Sequence, residues 1–530
     1  MSIIVSDIRL PFGSSDNDAV TEALKLLKAS ASLLSFSDIH KVSYDLRHGK
    51  TTKVFSVELE FENEEQIIKR NDSPNVKLRA KAAMPSPCGQ TGLNAPPAVI
   101  GFGPAGLFAA LILARNGYRP VIFERGGAMP ERDRSVDRFF GGGRLDLSSN
   151  IQFGEGGAGT YSDGKLTTRI NDARCQLVLD ILRDFGAERE MLVKAKPHIG
   201  TDRLKSIVTA IREEIILLGG SVHFLNPIRE FKSRNGRLTG LIDSFGEYHE
   251  TDVAVLAIGH SARDTFEMLL KSGITLIPKP FSVGVRAEHL QSDIDAALYN
   301  SYAGSDMLPP GEYSLARREG GRGCYSFCMC PGGYVVAAAS EEGGIATNGM
   351  SFHSRSGVNS NAAICVSVEP SDFDSMHPLA GIEFQRKIER AAFAAAGECD
   401  KGIVQLYGDF LQNRPSSGTG RVQPTYPRGF GFYDINRLLP EFVCRMIKDS
   451  MPYFGRRLRG FDAYDTVFTA PETRTSSPVR IPRNVNMMSE DLYGLIPCGE
   501  GAGYAGGIVS AAVDGIRAAE AIMNIYAPLR

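Results

Sequence analysis

No apolar run in this chain nears the roughly 20 residues needed to span a bilayer, so no membrane-crossing helix is expected. The opening, Met1-Ser2-Ile3-Ile4-Val5-Ser6-Asp7, lacks the basic n-region and apolar core of a signal peptide, and none is expected. Charge is almost balanced, 59 Lys and Arg against 61 Asp and Glu, so no global field recruits nucleic acid or an acidic membrane. Nine cysteines over 530 residues make no small-domain disulfide framework; they read as reduced thiols in a cytoplasmic setting. There is no internal repeat and no low-complexity tract. Hydrophobic content of 43% and charged content of 23% fit a globular protein of two or three domains. Glycine is plentiful, at 56 residues, and its clusters carry most of the functional signal.

The first cluster is Ala98-Val99-Ile100-Gly101-Phe102-Gly103-Pro104-Ala105-Gly106. A short apolar run meets G-x-G-x-x-G, an apolar segment follows to Ala114, and a second run, Pro120 to Phe123, ends on Glu124. This is the strand, turn, helix, strand, acid order of a dinucleotide site. Gly101 permits the turn, Gly103 admits a pyrophosphate at the helix N-terminus, and Gly106 lets helix and strand pack closely. Glu124 suits a ribose hydroxyl.

Two further G-x-G-x-x-G matches differ in context. Gly154-Glu155-Gly156-Gly157-Ala158-Gly159 runs into the turn-rich Thr160-Tyr161-Ser162-Asp163-Gly164-Lys165, so it predicts no second dinucleotide fold. It reads as a flexible loop laid against a flat ligand, its N–H groups directed inward; a plain surface turn is the alternative. Gly501-Ala502-Gly503-Tyr504-Ala505-Gly506 follows Pro497-Cys498-Gly499-Glu500 and precedes a helix predicted over 508–523. Here Glu500 suits ribityl hydroxyls, and the helix N-terminus favours negative charge on a reduced flavin.

Residues 1–82 read as a small α+β domain, with strands over 3–10, 39–46 and 54–61, a helix over 19–27, and His48-Gly49-Lys50 as a turn. Residues 83–97, rich in Pro and Gly, read as a linker. Residues 98–279 form the first part of an α/β domain, with a helix over 204–218 capped by Thr201 or Asp202 and strands near 222–224, 238–242 and 253–258. Gly259 closes the last of these strands, where a chain passes a cofactor or simply ends. Residues 280–468 read as an inserted substrate domain, and 469–530 return to the first domain.

The chain resembles the two-motif flavoproteins of the glutathione-reductase-like superfamily, and within them the FAD-dependent, or FAD-utilising, dehydrogenases of unknown substrate. The likeness rests on the first motif with Glu124-Arg125-Gly126, on Phe153 through Leu166, on Pro197-His198-Ile199-Gly200-Thr201-Asp202-Arg203-Leu204, on Cys324-Tyr325-Ser326-Phe327-Cys328-Met329-Cys330-Pro331-Gly332-Gly333, on Glu472-Thr473-Arg474-Thr475-Ser476-Ser477-Pro478, and on Cys498 through Gly515. It implies an α/β fold: a non-contiguous Rossmann-like FAD-binding domain with an inserted α+β substrate domain and the small N-terminal domain. It implies FAD, with AMP at Gly101–Gly106 and Glu124 and the flavin near the 154–166 loop and Glu500. The expected cofactor contacts are Gly101, Gly103, Pro104, Ala105, Gly106, Glu124, Arg125, Gly156, Gly157, Ala158, Gly159, Thr160, Gly259, Gly499, Glu500, Gly506, Gly507 and Ile508.

For chemistry, Arg474 and His260 are the candidates, with Arg263, Tyr426 and His353 behind them. Arg474 suits a bidentate grip on a substrate carboxylate, and an internal ion pair equally. Cys324, Cys328 and Cys330 lack the C-x-x-C spacing of a zinc site and read as thiols in a strand–turn hairpin; no metal is expected. No second Rossmann unit for NAD(P)H stands between 170 and 470, so the reductant binds transiently at the flavin or electrons come from another donor. The expectation is an oxidoreductase moving hydride between flavin and a small organic substrate. The alternatives are an RNA-modifying or RNA-binding flavoprotein, disfavoured by the balanced charge of the N-terminal domain, and a flavin-bound sensor without turnover.

Overall fold

The computed structural model describes residues 1–45, 52–80, 83–194 and 196–529, and the turn expected at His48-Gly49-Lys50 lies outside them. The chain divides into two compact units, Met1–Met84 with Lys165–Ile199, and Pro85–Gly164 with Gly200–Arg530.

The first unit is built on an antiparallel sheet ordered Leu34–Asp45, Thr52–Phe61, Ser2–Pro11, Val76–Arg79. Alternate residues Phe55, Val57, Leu59 and Phe61 point into the core, as a pleated strand requires. The helix Asp16–Leu27 closes that core with Ala19, Ala23 and Leu27, and Ser15 and Asp18 form a capping box at its start. Residues 165–199, expected within the first part of the FAD-binding domain, group here instead. The reason lies in long-range contacts: Val193 packs on the same core, and Arg189 bonds Asp38 at 2.6 Å and Asp16 at 3.3 Å.

In the second unit, five parallel strands run in the order Leu495–Pro497, Ala254–Leu256, Ala98–Ile100, Val121–Phe123, Ser221–His223. The C-terminal strand thus returns to the sheet that the first glycine motif leaves. The helix Pro104–Arg115, buried from Ala105 to Ala114, lies against the helix Ile508–Met523. Their approach requires Gly515, where a Cβ would stand 2.1 Å from the Ala105 carbonyl oxygen. A seven-stranded sheet carries the other large core, and its members Phe281–Leu290 and Asn359–Val368 are buried almost end to end. The strand Val467–Glu472 belongs to that sheet, so the boundary expected at 468/469 cuts a strand.

Two local expectations are corrected. Residues 85–97 do not behave as a free linker: Gly89 N donates to Met523 O at 2.8 Å, Thr91 N to Ile525 O at 3.1 Å, and Asn94 bonds Asp252 twice. Its backbone groups have found partners in the C-terminal tail. The helix Thr201–Leu217 is capped by Gly200, at φ +86, rather than by Thr201 or Asp202. A Cβ on Gly200 would meet His353 N at 2.3 Å, and Asp202 is spent accepting from that same amide.

A chain starting near Ala95 keeps residues 165–199 but loses the strands they pack on. Limited proteolysis should therefore cut within 165–199 far faster than in the full chain. Equal protection in both would show that this segment folds without the N-terminal sheet.

Candidate functional site

The carboxyl ends of the parallel strands gather all three glycine segments. Gly101, at φ +96, sits where a Cβ would be 2.4 Å from Ala257 O, and at Gly106 a Cβ would be 1.9 Å from Gly101 O. The protein itself therefore explains these two glycines, by backbone conformation and by close packing. Gly103 differs. Its φ is −77, and a Cβ there would meet only Gly157 Cα, at an ordinary 3.7 Å. Nothing in the fold demands a glycine at 103; a ligand passing over the N-terminus of the helix Pro104–Arg115 would.

The second segment closes on the first. A Cβ on Gly157 would stand 2.8 Å from Gly103 Cα, and one on Gly159 would meet both Ile508 Cγ1, at 3.1 Å, and Pro104 Cγ, at 3.7 Å. Gly159 therefore touches the first turn of both core helices. The third segment joins through Gly499, 2.7 Å from Ala105 Cβ by the same measure, and through Gly501, 2.4 Å from Gly259 O. Gly506, Gly507 and Gly259 face open space.

Glu124 binds these parts together. Its carboxylate accepts from Phe102 N at 2.8 Å, Gly126 N at 2.8 Å and Gly154 N at 2.9 Å, which leaves little more than one lone-pair position for a hydroxyl. Most backbone donors of the 154–160 loop are spent inside the protein rather than directed inward, those of Ala158 and Gly159 not among them. Gly154 N goes to Glu124, Glu155 N to Gly127 O, Gly156 N to Phe102 O, Gly157 N to Gly154 O, and Thr160 N to Gly157 O. Arg132, wholly buried and not anticipated from sequence, holds the loop from behind through the carbonyls of Asn150, Ile151 and Glu155. Arg125, expected at the cofactor, lies over the Phe153 ring and bonds Asp264 at 2.6 Å, bracing the protein instead.

Glu500 is the opposite of Glu124. Half-buried, its carboxylate has no hydrogen-bond partner among the described residues. Burial lifts its pKa to about 7, with Lys279 pulling the other way. An acid in that condition wants hydroxyl donors.

Arg474 is committed to the protein. Its Nε and Nη2 grip Glu389 at 3.1 and 2.9 Å, and Nη1 bonds Ser340. The planar fork expected to hold a substrate carboxylate is already closed on an internal one. Arg263 grips the same Glu389 with two bonds of 2.9 Å, while Gln385 and Thr473 complete the shell. Burial alone would raise the Glu389 carboxyl; Arg263 and Arg474 overcome it and hold it well below the carboxylate range. His260 stands beside this cluster, bonded through Nδ1 to Ser261 at 2.8 Å. Tyr426 packs among Phe139, Val335 and Ala337, and His353 gives its backbone amide to Asp202; neither joins the cluster.

All nine cysteines are unpaired with one another. Among the described residues the acids and His249 at Asp243, Glu247 and His249 come close enough to suggest a metal. Asp243 is already spent on Asn226, His249 and the amides of Phe245 and Glu247, so the group is a staple of the 237–250 hairpin.

Residues 280–475 match the family described as "FAD-dependent protein, C-terminal domain-like". The sheet, the glycine cradle and this match define a mixed α/β FAD-dependent protein, and FAD is its cofactor. The chain belongs to the same family as a protein of Clostridium beijerinckii (strain ATCC 51743 / NCIMB 8052), itself described as uncharacterized, with which it is 44% identical over 530 residues, 99% of each chain. Solved structures give weaker likenesses. An E. coli quinol fumarate reductase FrdA variant is 13% identical, over 81% of this chain and 70% of that one, with a TM-score of 0.37. A geranylgeranyl bacteriochlorophyll reductase-like protein of Thermoplasma acidophilum is 13% identical, over 82% and 78%, with a TM-score of 0.35. At such scores the likeness carries no weight for fold or activity. No helix among the described residues is long and apolar enough to cross a membrane.

Glu389→Gln should destabilise the protein by about 3–5 kcal/mol, since two buried guanidiniums lose their shared anion. Its carboxyl is lowered on folding, so its contribution is full above the unfolded value of about 4.3 and fades as pH falls toward the folded one. Thermal melts from neutral to acid pH should therefore show a shallower acid limb in the variant. An unchanged melting temperature would mean that the cluster is solvated and of little consequence.

Proposed function

We propose that the protein is an FAD-dependent oxidoreductase, a dehydrogenase or reductase of the glutathione-reductase-like type, that moves hydride between flavin and a small organic substrate. The observation that carries this reading is the convergence of Gly103, Gly157, Gly159 and Ile508 at the starts of two helices, with a glycine at 103 that neither backbone conformation nor packing requires. The AMP half of FAD would lie along Gly101–Gly106, with its ribose at the remaining lone pair of Glu124. Pro104, Ala105 and Ile508 open two helices whose N-termini favour the pyrophosphate. Gly156, Gly157, Ala158, Gly159 and Thr160 would form the wall, and Glu500 would take ribityl hydroxyls, with Gly499, Gly506, Gly507 and Gly259 leaving room. Bound there, the flavin supplies the hydride chemistry; the chain positions the substrate and excludes water. The five-stranded sheet is the one all-parallel sheet of three or more strands among the described residues. That favours NAD(P)H visiting the flavin, or another electron donor, over a second nucleotide domain.

The purified protein should be yellow and release FAD, not FMN, on denaturation. Gly103→Val should lose the flavin while melting close to the wild-type apoprotein, because its Cβ finds no clash and no strained φ. Glu500→Gln should weaken FAD by about 1.5–3 kcal/mol, one charge-assisted hydrogen bond. Full flavin occupancy in Gly103→Val, or FMN alone in the wild type, would overturn this placement.

A further inference from the structure

We infer that Gln152 and Ser261 lock His260 in the tautomer whose Nε2 is a bare acceptor, and that the molecule exchanging hydride with the flavin offers that atom an O–H or N–H hydrogen, which makes it an alcohol or an amine. The substrate part rests on the hydride-transfer reading above. The tautomer part rests on the hydrogen-bond chain alone.

That chain has one consistent direction. Gln152 Nε2 donates to Ala338 O at 3.2 Å, which turns Gln152 Oε1 toward Ser261. Ser261 Oγ donates its single proton to that oxygen at 3.1 Å. Toward His260, 2.8 Å away, Ser261 Oγ is therefore left only to accept, so the imidazole proton sits on Nδ1. Gln152 and Ser261 are both buried, so water does not rewrite the chain. Nε2 keeps its lone pair and has no partner among the described residues.

The place is as telling as the tautomer. Gln152 lies two residues before the second glycine segment, and Gly259 abuts Gly501 of the third, so His260 stands where these segments meet. The charged groups facing the ring are Arg474 and Arg263, both cationic, and Glu389, which they share. Burial first, then the two guanidiniums, push the imidazole down to about 3, against Glu389. The ring is neutral throughout the physiological range. Oxidising a CH–OH or CH–NH carbon sends hydride to the flavin and leaves C=O or C=N, with Nε2 accepting the hydrogen bond that orients the O–H or N–H. Burial, Arg474 and Arg263 keep the ring from holding that proton, so it leaves to solvent as the hydride departs. A CH–CH substrate has no hydrogen to offer Nε2.

The test uses the full chain, with and without FAD, labelled with nitrogen-15 in histidine, and assigns His260 by the signal lost in His260→Gln. Nε2 should resonate as a bare nitrogen in both forms and stay flat from about pH 8 to about pH 5. Ser261→Ala should mix the tautomers without lowering FAD content, and Ser261→Thr should restore the single form. A protonated Nε2, one that gains a hydrogen bond on FAD loading, or a tautomer indifferent to Ser261→Ala would overturn the assignment. Under anaerobic conditions, a panel of alcohols and amines is then set against saturated acids and acyl thioesters. Flavin bleaching by an alcohol or amine, slowed at least about tenfold in His260→Gln, supports the substrate class. Bleaching only by the saturated compounds, or none by any alcohol or amine, overturns it. A protein that stays colourless after FAD loading would instead sink the hydride-transfer reading, while the tautomer is still read from the apoprotein.

Discussion

The carboxylate of Glu124 holds the site in one piece. At the ends of parallel strands, glycine turns expose backbone donors that have no side chains to satisfy them. Glu124 takes three such donors, from Phe102, Gly126 and Gly154, and so ties the first turn to the second loop. With those ends fixed, Gly157 comes against Gly103, and Gly159 reaches both helix starts. A shorter acid or an amide at 124 would leave a donor orphaned or an acceptor missing, and the cradle would open.

Behind this cradle the molecule uses buried charge. Arg132 is spent on carbonyls of the loop, and Glu389 is shared by Arg263 and Arg474. Such groups hold geometry because each costs several kcal/mol if its partner leaves. The second cluster also acts on His260, where its two guanidiniums add to burial in holding the imidazole neutral.

Two acids that looked alike in the sequence serve different ends. Glu124 and Glu500 both follow short buried strands and neighbour glycine turns. The first is saturated by amides from its own chain. The second stands open, with its pKa raised to about 7 by burial. Hydroxyl donors would relieve that burial at Glu500, whereas Glu124 is already satisfied by three amides.

The sequence by itself determined the order strand, turn, helix, strand, acid at 98–124 and the helix Ile508–Met523, because local spacing and glycine placement specify short-range structure. It also marked Glu500 and the three glycine segments. Tertiary structure decided the rest. Residues 165–199 joined the N-terminal sheet through Val193 and Arg189, a pairing that no local pattern announces. The strip 85–97 became ordered by pairing with a tail more than 400 residues away in sequence. Arg474 could have faced a substrate or a carboxylate of its own chain. Which of these held was settled by Glu389, on a helix 85 residues earlier, since an arginine's role depends on the anion that folding brings to it.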